Sequence, residues 1–160
     1  MDAKKNRAQE KTNVIRQVEG LGLACREYTY EPDASLTGAD VARILGQDPG
    51  QVFKTLVTTG KSGGHYVFMI PVEEELDLKK AAKAVGEKAI EMLKSKDLLG
   101  LTGYIHGGCS PIGMKKQFPT TVDETAQLYD TIVFSAGRIG HQIELAPDDL
   151  ARVVPIGYAD

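Results

Sequence analysis

One lysine and one glycine-rich loop are the residues of this chain best suited to chemistry. Lys54 lies inside an apolar, strand-like run that begins at Val52, where an unpaired cation is costly to bury. The segment 107–113 holds three glycines together with Ser110 and Pro111. Glycine lets a backbone approach a ligand closely, and main-chain amides beside it can point at a carbonyl or an oxyanion. The two segments together predict a pocket for a polar, anionic substrate.

Each of these features also has a plain structural interpretation. A lysine on an edge strand can extend its charged head into solvent, and Lys54 taken alone favours that interpretation. The glycine-rich segment can be an ordinary long turn, although its density of special backbone residues favours a binding loop with Ser110 as an added hydroxyl. Strand alternation places Lys54 and Leu56 on one face and Phe53 and Thr55 on the other.

The cysteines and histidines do not form a recognisable catalytic or metal motif. Cys25 and Cys109 belong to no CxxC pair or Cys/His cluster, so neither a zinc site nor a disulfide framework is expected. His106 precedes Cys109 by three residues, which is compatible with a Cys–His hydrolase. The favoured interpretation of Cys109 is a small residue that fills the underside of the loop. His65 and His141 are expected at exposed strand edges.

Length and composition indicate one globular domain. The chain has 160 residues, of which 42% are hydrophobic and 26% charged, and this is enough to bury a core. The polar segment 1–10 is expected to be a flexible tail, which leaves a single domain over 11–160. No apolar run approaches the roughly 20 residues of a membrane helix, and the start of the chain lacks a secretory pattern. A cytoplasmic protein without a membrane partner is therefore expected.

The charge balance limits the choice of partners. A net charge of −3 argues against broad DNA binding, which depends on many phosphate contacts. Two groups of lysines, one at 79–88 and one at 115–116, favour solvated surfaces when judged by charge alone. They could still supply weak, salt-dependent contacts to phosphates.

The hydrophobic pattern predicts short helices mixed with short strands. The expected fold class is α+β or mixed α/β, with a curled, partly closed, barrel-like mixed sheet surrounded by short helices. The nucleotide-binding fingerprints GxGxxG and GxxxxGK[ST] do not occur. Helices or helical turns are predicted at Thr12–Leu21, Thr37–Leu45, Leu78–Val85, Ser95–Leu99, Glu124–Tyr129 and Asp148–Val153. Strands are predicted at Cys25–Tyr30, Val52–Thr59, His65–Pro71, Lys88–Met92, Thr120–Val122, Thr131–Ser135 and Gln142–Leu145.

Several motifs in a fixed order resemble one known family. The chain resembles the YbaK family of aminoacyl-tRNA deacylases, which is similar to the editing domain of bacterial prolyl-tRNA synthetase. The resemblance covers nearly everything from Lys11 to Val154. The motifs that carry it are FKTL at 53–56, LKKAAKAVG at 78–86, TGYIHGGCSPIGMKK at 102–116, SAG at 135–137 and ELAPDDL at 144–150.

The resemblance implies hydrolysis of the ester between a wrong amino acid and the 3′ end of a tRNA, without a cofactor or a metal. It implies that Lys54 is the essential lysine, whose cationic head anchors the phosphate or ester region. Further pocket positions follow in the same way. They are Tyr30, Thr55, Gly107, Gly108 and Ser135.

The subgroup most similar to this chain is the free-standing Cys-tRNA(Pro) deacylases, in which the thiol of the substrate attacks its own ester. The protein then has only to position the substrate and stabilise the oxyanion, which fits the lack of an evident Ser/His/Asp or Cys/His nucleophile. Two alternatives stay open. One is a deacylase with Ala-tRNA(Pro) or broader specificity, and the other is a non-catalytic module that binds tRNA or a synthetase. The family also suggests prolyl-tRNA synthetase as a partner.

Overall fold

A computed structural model describes residues 11–33 and 35–160. The segment 1–10, expected as a tail, lies outside the described residues. Within the described part the chain forms five α-helices, one 3-10 helix and eight strands. The helices are α1 Asn13–Gly20, α2 Gly38–Ile44, α3 Leu78–Val85, α4 Ser95–Thr102 and α5 Pro147–Val153, and the 3-10 helix is Glu124–Leu128. The strands are β1 Arg26–Thr29, β2 Phe53–Gly60, β3 His65–Pro71, β4 Ile90–Met92, β5 Thr120–Asp123, β6 Ile132–Arg138, β7 His141–Leu145 and β8 Ile156–Ala159.

Side-chain caps fix where the helices begin. Thr37 and Asp40 form a capping box at the start of α2, in which each side chain accepts a hydrogen bond from the backbone N–H of the other. Asp77 accepts from the first amides of α3. Each cap satisfies backbone donors that have no partner inside the helix.

The strands form two sheets. One has the order β4-β2-β3-β5-β8 and the other the order β1-β7-β6. In the larger sheet β3, β5 and β8 pair in parallel, whereas all other pairs of strands are antiparallel. Within residues 11–33 and 35–160, one parallel bridge, between Val52 and Val133, joins the backbones of the two sheets. The larger sheet is therefore mixed, as predicted, and neither sheet closes into a barrel within the described residues.

The main core lies on one face of both sheets. Phe53, Phe134 and Ile143 meet there and are at most 2% exposed. Helix α1 covers them with its apolar face, including Val14 and Val18. Burial of these aliphatic and aromatic side chains is the main force that holds the two sheets together. No helix in the described part of the chain is long and apolar enough to cross a membrane.

The structure departs from the sequence-based prediction at several places, and the largest differences are these. Strand β8 was not predicted, and it forms by parallel pairing with β5. Helix α4 continues past Leu99 to Thr102 because Gly100 is tolerated inside it, and the helix ends only at Gly103 with a positive φ of 86°. The prediction that His141 is exposed is wrong, since it is only 5% exposed at the position where β7 pairs with Thr29 of β1.

Candidate active site

The candidate site lies where the two sheets separate. At the bridge, the N–H of Val133 donates to the carbonyl of Gln51 at 3.0 Å. Beyond it, β2 and β6 form no further ladder within residues 11–33 and 35–160, although their Cα atoms stay within 8 Å at several positions. Lys54 on β2 and Ser135 on β6 each lie two residues past this bridge. They are therefore at the start of the stretch in which the two strands no longer pair.

Lys54 is a half-buried cation on the face of β2 that points away from Phe53 and the main core. Cross-strand register aligns Ser135 with Gln142 and Gln142 with Tyr28, so a polar row continues from Lys54 across the smaller sheet. In the described part of the chain no carboxylate forms an ion pair with Lys54. Its charge is therefore available to an anionic or strongly polar ligand.

Thr55 points to the other face of β2, as strand alternation predicts. It lies between Phe53 and Val57, and Val57 packs with Cys109 from the glycine-rich loop. Its hydroxyl oxygen is buried and has no hydrogen-bond partner among the described residues. Next to the start of β2, the N–H of Val72 donates to the carbonyl of Val52. Because backbone groups alternate in direction along a strand, the even-numbered residues of β2 turn their N–H and C=O groups toward β3. Thr55 therefore turns its main-chain N–H and C=O toward the opening.

The hairpin β6–β7 brings Tyr30 and the double glycine together. The N–H of Tyr30 donates to the carbonyl of Gly140 at 2.9 Å. A Cβ atom at Gly108 would stand 3.1 Å from the backbone nitrogen of Ile139, and Gly107 has a positive φ of 87°. Both glycines are therefore required where the loop packs on the hairpin. The β6–β7 hairpin is thus the common support of four predicted site residues, Tyr30, Gly107, Gly108 and Ser135.

Hydrogen bonds inside the loop show which of its donors are already used. The N–H of Gly108 donates to the carbonyl of Ile105 at 3.0 Å. The hydroxyl of Ser110, which is 0% exposed, accepts from the N–H of Ile112 at 3.3 Å. The amides of Cys109 and Ser110 have no partner in the described part of the chain. Within the described residues these two amides are therefore left without an acceptor, whereas the Gly108 amide and the Ser110 hydroxyl already have hydrogen-bond partners.

Cys109 is buried at 7% exposure among Val57, Met114 and Phe118. Burial raises the pKa of its thiol to about 12. The thiol is protonated at neutral pH, which agrees with the favoured interpretation of Cys109 as a residue that fills the underside of the loop. Within the described residues no group of three Cys, His, Asp or Glu side chains gathers in a way that would hold a metal ion.

Gln142 and Tyr28 belong to the polar row but were not predicted as site residues. Gln142 is 6% exposed, and its side-chain oxygen accepts from the side-chain amide of Gln47 at 2.8 Å. The hydroxyl of Tyr28 donates to Glu144 at 2.5 Å. Their alternation along β1 and β7 was readable from the sequence, but the pairing that aligns them with Ser135 depends on long-range register.

Two cavities lie near the sheets. One of about 180 Å³ is lined by the α3 region and β8, including Asp77, Lys80 and Asp160. The other, of about 270 Å³, is lined by both ends of the glycine-rich loop at Tyr104 and Gly113. Lys54 lines neither of them.

Comparison with known proteins gives one relative over nearly the whole chain and others over part of it. A protein of Enterococcus faecalis, EbsC, provisionally named a Cys-tRNA(Pro)/Cys-tRNA(Cys) deacylase, is 53% identical over 98% of this chain and 96% of its own length. A proline–tRNA ligase of Trichlorobacter lovleyi is 27% identical over 79% of this chain, which corresponds to only 22% of the ligase.

Solved structures share the fold. A crystal structure provisionally described as a trans-editing enzyme for prolyl-tRNA synthetase superposes with a TM-score of 0.77 at 26% identity, and covers 94% of this chain and 98% of its own. The hypothetical protein APE2540 superposes with a TM-score of 0.83 at 24% identity, over 93% of this chain and 98% of its own. The family model of the aminoacyl-tRNA editing domain matches residues 31–153. The chain therefore belongs to the aminoacyl-tRNA editing domain family.

Proposed function

We propose that this protein is a trans-editing deacylase that hydrolyses the ester of cysteine mischarged onto tRNA(Pro). The observation that carries the proposal is Lys54, a half-buried cation without an ion-pair partner in the described part of the chain, two residues past the bridge that joins the sheets. Membership of the editing family and 53% identity to EbsC support this chemistry.

Lys54 would hold the 3′-terminal nucleotide. Its ammonium group offers a point charge with three donors, which suits a phosphate or an ester oxygen. Ser135 across the opening and the main-chain groups of Thr55 supply uncharged contacts at the same level. Tyr30 and the double glycine, which pack on the same hairpin, would form the end wall of the pocket.

The loop would stabilise the charge that develops on the ester carbonyl. Two successive amides, those of Cys109 and Ser110, have no partner in the described residues. Fixed donors aimed at a developing oxyanion are a large source of rate enhancement. The hydroxyl of Ser110 supports this arrangement from inside the loop, because it accepts from the Ile112 N–H.

The substrate would supply its own nucleophile. The sulfur of the cysteinyl group attacks the ester carbonyl carbon, the bond from that carbon to the ribose oxygen breaks, and the thiol proton passes to the leaving ribose oxygen. Water then opens the cyclic thioester to release free cysteine. The protonated thiol of Cys109 is unsuited to this role because the reactive form of a thiol is its thiolate. The protein contributes orientation and oxyanion stabilisation.

Selection of the tRNA would depend on a partner. The proposed site contacts only the 3′ end of the tRNA and does not reach the anticodon. The similarity to a segment of a proline–tRNA ligase supports a ternary complex in which prolyl-tRNA synthetase presents the mischarged tRNA.

Lys54→Gln tests the site. It should lower kcat/KM for Cys-tRNA(Pro) by about 100-fold or more, because a charged donor at the reacting centre is removed. Lys61→Gln is the matched control, since Lys61 is exposed in the β2–β3 turn, and it should stay within about twofold of wild type. Circular dichroism checks that both variants fold. A wild-type rate in folded Lys54→Gln would refute the site assignment.

A panel of tRNA(Pro) charged with cysteine, serine or alanine tests the chemistry. Cysteine has the attacking thiol, whereas serine has a hydroxyl and alanine a methyl group, so only Cys-tRNA(Pro) should be hydrolysed rapidly. Equal hydrolysis of all three would favour the broader deacylase and contradict attack by the substrate. Binding without any turnover would instead favour the non-catalytic module. Each reaction is followed by release of labelled amino acid, with and without the synthetase.

A further inference from the structure

The cavity of about 270 Å³ is not used by the proposed reaction, although it touches the same loop. Tyr104 and Gly113 line it from the two ends of the loop, and the hydroxyl of Tyr104 donates to the carbonyl of Ile112 at 2.5 Å. Gly137 and Arg138 of the β6–β7 hairpin form another wall. The backbone of Arg138 also lies against Gly108, at 3.4 Å from a Cβ atom placed there. A ligand bound in this cavity would therefore lie next to a ligand bound at Gly107 and Gly108.

The lining of the cavity is basic although the whole chain is acidic. It includes four cationic side chains, those of Lys11, Arg16, Lys115 and Arg138, and no carboxylate from the described residues. The net charge of the protein is −3, so this concentration of positive charge is local. A concave surface with one sign of charge raises the local concentration of the opposite ion.

Two of these cations are free of acidic partners. Arg138 is exposed and has no ion pair with any described residue, and the ammonium group of Lys115 is near only a carbonyl, that of Gly100, at 3.5 Å. Lys11, by contrast, is bound to Glu19 at 2.9 Å. Arg138 and Lys115 can therefore bind an incoming anion without first breaking an ion pair.

Uncharged donors and the shape of the cavity favour the same class of ligand. The first turn of α1 contributes Asn13 and Val14 to the wall, where backbone amides and the helix dipole favour anions. Gly103 and Gly113 have positive φ angles and leave the backbone open to close approach. The phenol of Tyr104 stays neutral because burial raises its pKa to about 12. The volume lies just below the roughly 300–1,000 Å³ of pockets for drug-sized ligands, which suits one nucleotide unit.

We propose that this cavity binds a backbone phosphate of the RNA strand whose 3′ end enters the site of Lys54. The inference rests on the proposed function for the identity of the strand, whereas the phosphate chemistry comes from the cavity itself. Arg138 and Lys115 hold the phosphate, and the strand passes along the β6–β7 hairpin to the double glycine. The lysines of α3 have no part in this contact.

The double variant Arg138→Gln with Lys115→Gln tests the proposal against Lys83→Gln, which removes an exposed lysine of α3. Filter binding of uncharged tRNA(Pro) is measured over a series of salt concentrations. The double variant should bind about tenfold more weakly. Its slope of log K against log salt should become shallower by about 0.7 for each single-strand phosphate that is no longer neutralised. In deacylation its KM should rise by a similar factor, while kcat changes by less than about twofold.

The outcomes separate this proposal from the proposed function. If wild type deacylates Cys-tRNA(Pro) but the double variant matches Lys83→Gln in affinity, salt slope and KM, the cavity proposal is overturned and the function stands. If wild type hydrolyses no charged tRNA yet the double variant still loses tRNA binding, the proposed function fails and the cavity proposal stands. The last measurement is an NMR titration of the protein with inorganic phosphate. Shifts confined to the cavity, without any effect of the double variant on tRNA binding, would identify a small-anion site and overturn the proposal.

Discussion

Burial separates the two side chains that could react in this protein. Cys109 lies inside the glycine-rich loop, and burial raises the pKa of its thiol to about 12. Lys54 is only half-buried where the two sheets separate, and it has no ion-pair partner in the described part of the chain. A buried neutral thiol contributes packing, whereas an accessible cation contributes binding.

Thiol labelling checks the role assigned to Cys109. In the native protein at pH 8, iodoacetamide should modify Cys25 slowly and leave Cys109 intact, because both thiols have raised pKa values but only Cys25 is partly exposed. Cys109 should react once urea unfolds the chain. Mass spectrometry of tryptic peptides locates the label.

Cys109→Ala should keep deacylation within about threefold of wild type and cost about 1 kcal/mol of stability through poorer packing. Rapid native labelling of Cys109 together with an inactive Cys109→Ala would show that its thiol takes part in the reaction.

Among the elements, the β6–β7 hairpin has the largest share in building the site. It carries Ser135, accepts a hydrogen bond from the N–H of Tyr30 just after β1, and provides the backbone against which Gly108 packs. A register shift between Ser135 and Arg138 lets the strand turn, with Gly137 at a positive φ of 95°. Bulges of this kind redirect side chains next to functional sites.

Gly108→Ala tests the contact between loop and hairpin. The new methyl group would stand 3.1 Å from the nitrogen of Ile139, against backbone that cannot move aside cheaply. The loop should shift and kcat should fall by about tenfold or more, with a decrease of about 1–2 kcal/mol in the free energy of unfolding.

Gly100→Ala is the matched control for that experiment. Gly100 lies in α4 with no atom within 4 Å of its added Cβ, so alanine should raise stability by about 0.5–1 kcal/mol and leave activity unchanged. Activity assays and urea unfolding of both variants give the comparison. An active Gly108→Ala protein would mean that the loop does not need this contact.

Local rules explain why most elements could be predicted from the sequence. Capping residues such as Thr37 and Asp77, and alternation along β2, act over a few residues and are visible in the chain itself. Strand β8 escaped prediction because its short segment, with Gly157 in the middle, becomes a strand only through pairing with β5. The alignment of Lys54 with Ser135 depends in the same way on one long-range bridge. The family resemblance, and not spacing, placed these two residues in one predicted pocket.

At the scale of the whole molecule, the junction of two sheets creates both rigidity and an opening. The main core packs on both sheets, but among the described residues their backbones pair only at the bridge between Val52 and Val133. The smaller sheet therefore needs further hydrogen bonds between its own strands. Glu144 on β7 accepts two of them, from the hydroxyl of Tyr28 on β1 at 2.5 Å and from the hydroxyl of Thr131 before β6 at 2.6 Å.

The pKa of Glu144 shows that these two hydrogen bonds depend on the negative charge of its carboxylate. Burial opposes ionisation of the carboxyl group, but hydrogen bonds from Thr131 and Tyr28 outweigh it and hold the pKa below its ordinary value. A carboxyl group with a lowered pKa in the folded state stabilises the fold above its unfolded pKa of about 4.3, and this contribution is lost as the pH falls through the folded value. The hydrogen bond to Glu144 raises the pKa of Tyr28, so the contribution also declines when the pH rises above about 10.

Glu144→Gln should therefore lower the free energy of unfolding by about 1–2 kcal/mol at neutral pH, and the difference from wild type should shrink as the pH falls below about 4. Urea unfolding followed by circular dichroism over this pH range measures the difference. Glu31→Gln is the control, since the carboxylate of Glu31 is exposed and has no partner among the described residues, and its effect should stay within about 0.5 kcal/mol at every pH. If Glu144→Gln lowered the free energy of unfolding equally at acidic and neutral pH, the charge of Glu144 would not stabilise the smaller sheet. The contacts that hold β1, β6 and β7 together would then have to be assigned to packing by other residues.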